Sequence, residues 1–159
     1  MLRKKPKKEF NTTWAFEPFD RDPTFFQKRM FGCLGAYVHG RMVMVLSEDP
    51  GDKSYRGKSY SFDIWDGILL PTERVFHESL MHQFPALVEH PVLGKWLYLP
   101  AQHDDFENVA VEIARLIAQG DKRFGVDPKI RIGGRGKKSA RRYKRSYGGN
   151  KEQFLAGTA

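Results

Sequence analysis

Carboxylates are scarce at both ends of this chain, where Glu152 is the one acidic side chain in residues 1–8 and 129–159. Residues 1–8 hold five Lys or Arg and no Asp or Glu, and residues 129–151 hold ten, again with no acid among them. Other absences narrow the possibilities further. A single cysteine, Cys33, excludes an internal disulfide, so a reducing, cytoplasmic setting is expected. No apolar run nears the roughly 18 to 20 residues needed to span a bilayer. The opening Met1-Leu2-Arg3-Lys4-Lys5-Pro6-Lys7-Lys8 is basic but lacks the apolar stretch of a secretory signal. There is no Cys-x-x-Cys and no His-Glu-x-x-His, so no metal and no cofactor are expected. Internal repeats are absent as well.

What is present is enough for one core. The chain has 159 residues, 40% apolar, with 12 Phe, 6 Tyr and 3 Trp, the scale of a single domain. Its net charge of +8 conceals a partition. Residues 9–128 carry 12 Lys and Arg against 18 Asp and Glu, a net −6, while the two ends together supply +14. A folded body of one sign with ends of the other points to a polyanion-binding tail. The divisions implied are a basic arm over residues 1–9, a domain over 10–128 and a basic tail over 129–159. Beyond Pro128 too little apolar surface remains to offset the entropy of ordering, so the tail is expected to be disordered.

Along the body, Phe10, Trp14, Phe16 and Phe19 fit neither the helical nor the strand period and suggest an arm laid across the core, with a short strand as one form. Asp22-Pro23 has the form of a helix N-cap and first helical residue, which predicts a helix from Pro23 to Met30. His39-Gly40 predicts a tight hairpin turn, and the all-apolar Met42–Leu46 a strand covered on both faces. "SEDPGDKSYRGK" reads as a loop of about eleven residues, long enough to be a mild functional candidate. "SYSFDIW" reads as a strand with Tyr60, Phe62 and Ile64 on one face, followed by a turn at Asp66-Gly67. Thr72 is a candidate N-cap for a helix with Phe76, Leu80 and Phe84 on one stripe, ended by Pro85. "KWLYLP" predicts a further strand. Asp104 and Glu107 have capping-box spacing ahead of a helix faced by Phe106, Val109, Ala110, Ile113, Leu116 and Ile117 and closed by Gly120. These elements add up to an α+β fold, a small antiparallel sheet with about three helices.

The strongest candidate binding segment is the tail. Lys129, Arg131, Arg135, Lys137, Lys138, Arg141, Arg142, Lys144 and Arg145 could neutralise phosphates, and Tyr143 could stack on an unpaired base, as could Tyr147. The competing interpretations are a charged tail that only solubilises and, with little apolar surface to insert, an anionic membrane surface. Trp65, Asp66, Lys95 and Trp96 form a candidate pocket, with Asp66 and Lys95 as a polar pair in an aromatic frame. The plainer alternative is two core tryptophans, a turn aspartate and a snorkelling lysine. His77 and His82 are five residues apart, on different helix faces, and His39, His90 and His103 fall in turns or loops. All five are expected to be ordinary surface or loop histidines. Cys33, beside Phe31, Gly32 and Leu34, is expected to be buried and unreactive. The glycines of "FGCLG" lead into a strand and lack the Gly-Lys-Ser/Thr ending of a phosphate loop.

At "RMFGCLGAYVHGRMVMVL" the residues Arg29-Met30-Phe31-Gly32, Gly35, Tyr37 and Gly40 resemble the opening of the TfoX N-terminal domain, found in bacterial competence regulators of the TfoX/Sxy type. "KWLYLPAQHDDFENVAVEIARLI" resembles the later part of that domain, a tyrosine-bearing strand ending at Leu-Pro before a helix. The resemblance covers roughly residues 22–119, with specific matches at its two ends, and implies a small α+β unit with a short leading helix, a hairpin and a closing helix. It implies no catalytic residues. In place of the helix-hairpin-helix-like second domain of full-length regulators, this sequence has the basic tail. A non-enzymatic bacterial protein bound to nucleic acid or ribonucleoprotein is therefore the expectation. The alternatives are a protein-interaction module with an acidic binding body, and a small-molecule or enzymatic site around Asp66 and Lys95.

Overall fold

His39 and Gly40 both take left-handed backbone angles, φ 52° and 75°, the geometry that folds two strands back with the right twist. They join β2 (Cys33–Val38) to β3 (Arg41–Glu48) in a computed structural model that describes residues 8–128. Around this hairpin lie β1 (Phe26–Met30), the small pair β4 (Ser54–Tyr55) and β5 (Lys58–Ser59), β6 (Asp66–Leu70), β7 (Val88–Glu89) and β8 (Leu97–Pro100). The helices are a 3-10 helix at Thr13–Phe19, a 3-10 turn at Arg74–Phe76 running into α1 (His77–Gln83), and α2 (Phe106–Ala118). Six strands pair in the order β1-β2-β3-β6-β8-β7, all antiparallel, and β4 pairs with β5 apart from them. The fold is α+β.

The central strands β2 and β3 are buried on both faces, which explains why they carry few polar side chains, whereas the edge strand β1 is exposed. One face, with Leu34, Leu46, Ile68 and Leu99, packs against both α-helices and the 3-10 helix. The other, with Cys33, Val45, Leu69 and Tyr98, is covered by loop residues including Ile64, Trp65 and Leu93. Pairing shifts from Ala36↔Met44 to Tyr37↔Met42, so Val43 is an extra residue in β3. That bulge puts Val43 and Met44 on the same core face. α2 follows the expected stripe and ends in a Schellman closure. Gly120, at φ 92°, donates to the Ile117 carbonyl, and the Asp121 N–H donates to that of Leu116.

Several expectations are corrected. No helix forms over Pro23–Met30. The Thr24 N–H and hydroxyl both donate to Asp22 Oδ1, at 2.8 and 2.6 Å, and Phe25 N–H donates to the Asp22 carbonyl. Asp22 thus closes a single turn, after which β1 pairs residue by residue with β2 from Phe26↔Tyr37 to Met30↔Cys33. Strand alternation then sends Phe25 to Phe16 and Phe19 in one core while Phe26 lies on Tyr37 on the other face.

The aromatic arm is a 3-10 helix, not a strand, and it buries Ala15, Phe16 and Phe19. Its start is held by a distant carboxylate. Glu48, at the end of β3, accepts from Asn11 N–H, Thr12 N–H and the Thr12 hydroxyl at 2.9, 2.9 and 2.5 Å. Burying each of the two phenylalanines contributes roughly 1.5–3 kcal/mol, so the cap and the apolar face act together.

"SYSFDIW" makes no strand beyond Ser59. Tyr60 and Phe62 pack on the second core and Ile64 is buried in it, from an irregular segment. Asp66-Gly67 is not a turn; both belong to β6. A Cβ on Gly67 would lie 2.3 Å from the Leu99 carbonyl oxygen, so the glycine is there for close strand approach. The polar loop after β3 contains the β4–β5 hairpin, turned by Arg56 and Gly57 at φ 51° and 80°. Thr72 caps no helix: its hydroxyl donates to the Arg123 carbonyl at 2.5 Å, beside an antiparallel bridge to Phe124. The capping box at Asp104 and Glu107 does not form. Asp105 precedes α2 and its N–H donates to His103 Nδ1 at 3.0 Å.

Candidate functional site

The tail residues from Lys129 to Arg145, with Tyr143, lie outside the described residues. The second candidate, around Trp65, can be built from its neighbours. β6 and β8 pair with Gly67 opposite Pro100 and Leu70 opposite Leu97. That register puts Asp66 at one end of the ladder and Lys95, which is exposed, beyond the other. The structure therefore does not bring Asp66 and Lys95 together. Trp65 and Trp96 are both buried, Trp96 completely, and its Nε1 has no hydrogen-bond partner.

Asp66 is instead part of a polar corner. Gln102 Nε2 donates to its Oδ2 at 2.9 Å, and Asp66 N–H donates to the Tyr98 hydroxyl at 2.8 Å. That hydroxyl donates onward to the Asp63 carbonyl at 2.6 Å. Burial pushes the Asp66 carboxyl above its ordinary range, and the nearby Asp63 and Glu48 charges push the same way against the Gln102 bond. The contacts in the corner tie the start of β6 and the segment before it to β8 and the loop that follows it. Among the described residues no group of three or more His, Cys, Asp or Glu side chains is placed to hold a metal ion.

Two histidines expected to be ordinary surface or loop residues are buried. His90 is 1% exposed and has a fixed tautomer. Its Nε2–H donates to the Ile64 carbonyl at 2.5 Å, while Nδ1 accepts from the N–H groups of Val92 and Leu93, both at 3.1 Å. The ring lies between Trp65 and Tyr98, with centroids 4.6 and 4.9 Å away. No site is left for a second proton, and burial pushes the imidazole pKa down to about 4. His77 opens α1 and bridges two other segments, with Nδ1 2.6 Å from Glu89 Oε2 and Nε2 donating to the Lys95 carbonyl at 2.8 Å. Both rings serve as rivets between segments distant in sequence. His39, His82 and His103 are exposed as expected, and His39 pairs with Asp22 at 2.9 Å in the hairpin turn. Cys33 is 1% exposed at the start of β2, as its apolar neighbours suggest.

One surface feature went unseen in the sequence. Phe26 is 49% exposed, and its ring lies parallel to that of Tyr37, 4.7 Å between centroids and 4° between planes. The signal was present, since residues 23–47 contain no Asp or Glu, but a strand had to be assigned to β1 before it meant anything. Nearby, a hollow of about 270 Å³ opens between Lys8, Phe10, Arg29 and the Phe31–Cys33 turn. Lys8 Nζ and the Arg29 guanidinium sit 5.4 and 5.6 Å from the Phe10 ring centre.

No helix among the described residues is long and apolar enough to cross a membrane. Compared with known proteins, the chain matches no family model, no curated protein and no solved structure.

Proposed function

We propose that this is a non-enzymatic, cytoplasmic bacterial protein that associates with nucleic acid or a nucleoprotein complex, and that its basic tail is the electrostatic anchor. One observation carries the proposal: a body of net −6 whose two ends supply +14, with nine Lys and Arg and no carboxylate between residues 129 and 149. A body of that sign repels polyanions, so attraction must come from the ends. Each phosphate neutralised releases counterions, which makes binding salt-dependent and largely indifferent to sequence. Tyr143 is the proposed stacking residue within that segment. The polar groups of the folded core support a non-enzymatic role, since Asp66, His77 and His90 all spend their hydrogen bonds on the chain itself. The resemblance to the TfoX N-terminal domain belongs to the same proposal. Within residues 22–119 the chain has a hairpin at His39-Gly40 and a closing α2, while the short leading helix that the resemblance implies is replaced by β1.

The test is a titration of labelled single-stranded RNA and duplex DNA with the full chain, across a salt series, beside a variant with the nine tail Lys and Arg changed to Gln. If about six phosphates are engaged on duplex DNA, log K falls against log salt with a slope near −5. The variant should lose nearly all binding. Equal affinity of the two proteins would overturn the tail as anchor and favour a protein partner for the acidic body.

A further inference from the structure

Phe26 stands where a folded domain seldom leaves a phenylalanine. It opens β1, the edge strand of the six-stranded sheet, and half of its surface is open. Because its ring lies flat on Tyr37, one π face is covered and the opposite face looks outward. Lys28 is two residues along the same strand, on the same side of the sheet, and faces Gly35. Gly35 has no side chain, so the tip of Met30 and the Tyr37 ring close over it, with 2.9 and 3.5 Å to the position a Cβ would take. The result is a low apolar strip with an aromatic face at one end and an exposed ammonium beside it.

Charge sets this edge apart from the rest of the body. Residues 23–47 form the longest carboxylate-free run of the described chain. Lys28 is its cation on the Phe26 side, while Arg29, on the other side of β1, donates to the Lys8 carbonyl and Arg41, on β3, to that of Gly125. The two acids that bracket the run are turned to internal work. Asp22 is held by Thr24 and His39, and Glu48 by Asn11 and Thr12. On a domain of net −6, a basic edge with an open aromatic face is suited to a polyanion that also carries flat rings. A peptide strand adding to the same edge meets Lys28 and Arg29, the residue types that discourage edge-to-edge pairing.

We propose that Phe26, backed by Tyr37 and flanked by Lys28, is a stacking site for an unpaired nucleobase of single-stranded nucleic acid, with Lys28 on an adjoining phosphate. This rests on the nucleic-acid reading above and sharpens it. The tail supplies attraction to any polyanion, and the β1 edge supplies preference for single strands, because a base inside a duplex cannot offer its face.

The experiment measures affinity by fluorescence anisotropy across a salt series, with variants compared at the same salt, using a labelled eight-nucleotide oligo-dT and a labelled duplex of the same length. The proteins are the full chain, Phe26→Ala, Phe26→Trp, Lys28→Gln and the nine-Gln tail variant. Phe26→Ala should weaken oligo-dT binding about tenfold and leave the duplex unchanged, while Phe26→Trp retains or improves it. Lys28→Gln should weaken both and lower the salt slope on oligo-dT by about 0.7. Melting curves should show Phe26→Ala as stable as the parent to within a few degrees, since half of the ring is already in water. If Phe26→Ala binds oligo-dT like the parent while the tail variant does not bind, the stacking site falls and the anchor stands. If the full chain binds neither probe, both fall. If Phe26→Ala changes the elution volume of the free protein and not its affinity, the edge is a contact between copies and the stacking site is again overturned.

Discussion

Acid should loosen this protein through one buried ring, and the size of the effect follows from the structure. In an unfolded chain His90 titrates near 6.5; in the fold, burial pushes it down to about 4. Between those values the unfolded state binds more protons than the folded one, so stability falls as the pH falls. The contribution is complete above about pH 6.5, declines towards pH 4 and is level below that. Two and a half decades of proton affinity correspond to about 3 kcal/mol, a sizeable part of a small domain's total. The geometry gives the same sign independently. Nδ1 accepts from both Val92 and Leu93 N–H, so a proton placed there expels two donors at once and leaves a cation between two aromatic rings. The assay is urea denaturation of the parent and of His90→Asn at pH 7.5, 6.0, 5.0 and 4.0. An asparagine oxygen can still accept from the N–H groups two and three residues on, and it does not titrate. At pH 7.5 the variant should be the less stable, having lost the bond to Ile64 and the ring packing. That deficit should shrink by about 3 kcal/mol at pH 4, because only the parent carries the penalty. Carboxylates such as Asp22 and Asp121, both held below their usual range by hydrogen bonds, titrate equally in the two proteins and cancel in the difference. Parallel pH profiles for the two would refute the burial argument.

Two further substitutions probe the frame. Gly67→Ala places a methyl group 2.3 Å from the Leu99 carbonyl oxygen and 3.0 Å from the Tyr98 ring, inside a ladder flanked by β3 and β8. Neither neighbour is a free side-chain end, so the strands must part at a cost of roughly 3 kcal/mol, lowering the melting midpoint by about 10 °C or more; an unchanged midpoint would mean that the ladder is spaced differently. Glu48→Ala releases Asn11 N–H, Thr12 N–H and the Thr12 hydroxyl at the start of the arm helix, a loss of about 1–2 kcal/mol by analogy with a helix cap. Limited proteolysis should then cut within residues 8–20 well before the rest of the body, and cutting at the parent's rate would show that the apolar face alone holds the arm.

How far the sequence could be read depended on the range of the interaction responsible. α2 was legible because its stripe, from Phe106 to Ile117, and its closing Gly120 are local signals. The β2–β3 turn was legible because His39-Gly40 needs no other part of the chain to explain it. β1 was not. An aspartate accepting from the N–H two residues on is the same local event in an N-cap and in a free turn, so Asp22-Pro23-Thr24 cannot distinguish them. The five-pair ladder with Cys33–Tyr37 decides, and nothing in residues 22–30 announces it. Asp66-Gly67 failed for a similar reason. The pair has the composition of a turn, but its glycine answers to Leu99, thirty-two residues away. The tryptophans were placed correctly as core by the plainer interpretation. The supposed Asp66–Lys95 pair was undone by strand register, which opposes Gly67 to Pro100 and so carries Lys95 to the far end.

The same distinction governs the β1 edge. In a helix over Pro23–Met30, successive side chains turn by about 100°, so Phe26 and Lys28 would point to nearly opposite sides and Phe26 would sit above Met30. A strand with a period of two puts Phe26, Lys28 and Met30 in one row, and pairing with β2 lays Tyr37 beneath the first of them. Only in the second arrangement do an open aromatic face and a cation stand side by side on a stretch without carboxylates. The loss of the expected helix and the gain of a candidate stacking site are therefore one event. A substitution that restored helical preference to residues 23–30 would remove both the ladder and the site, whereas Phe26→Ala removes the site alone.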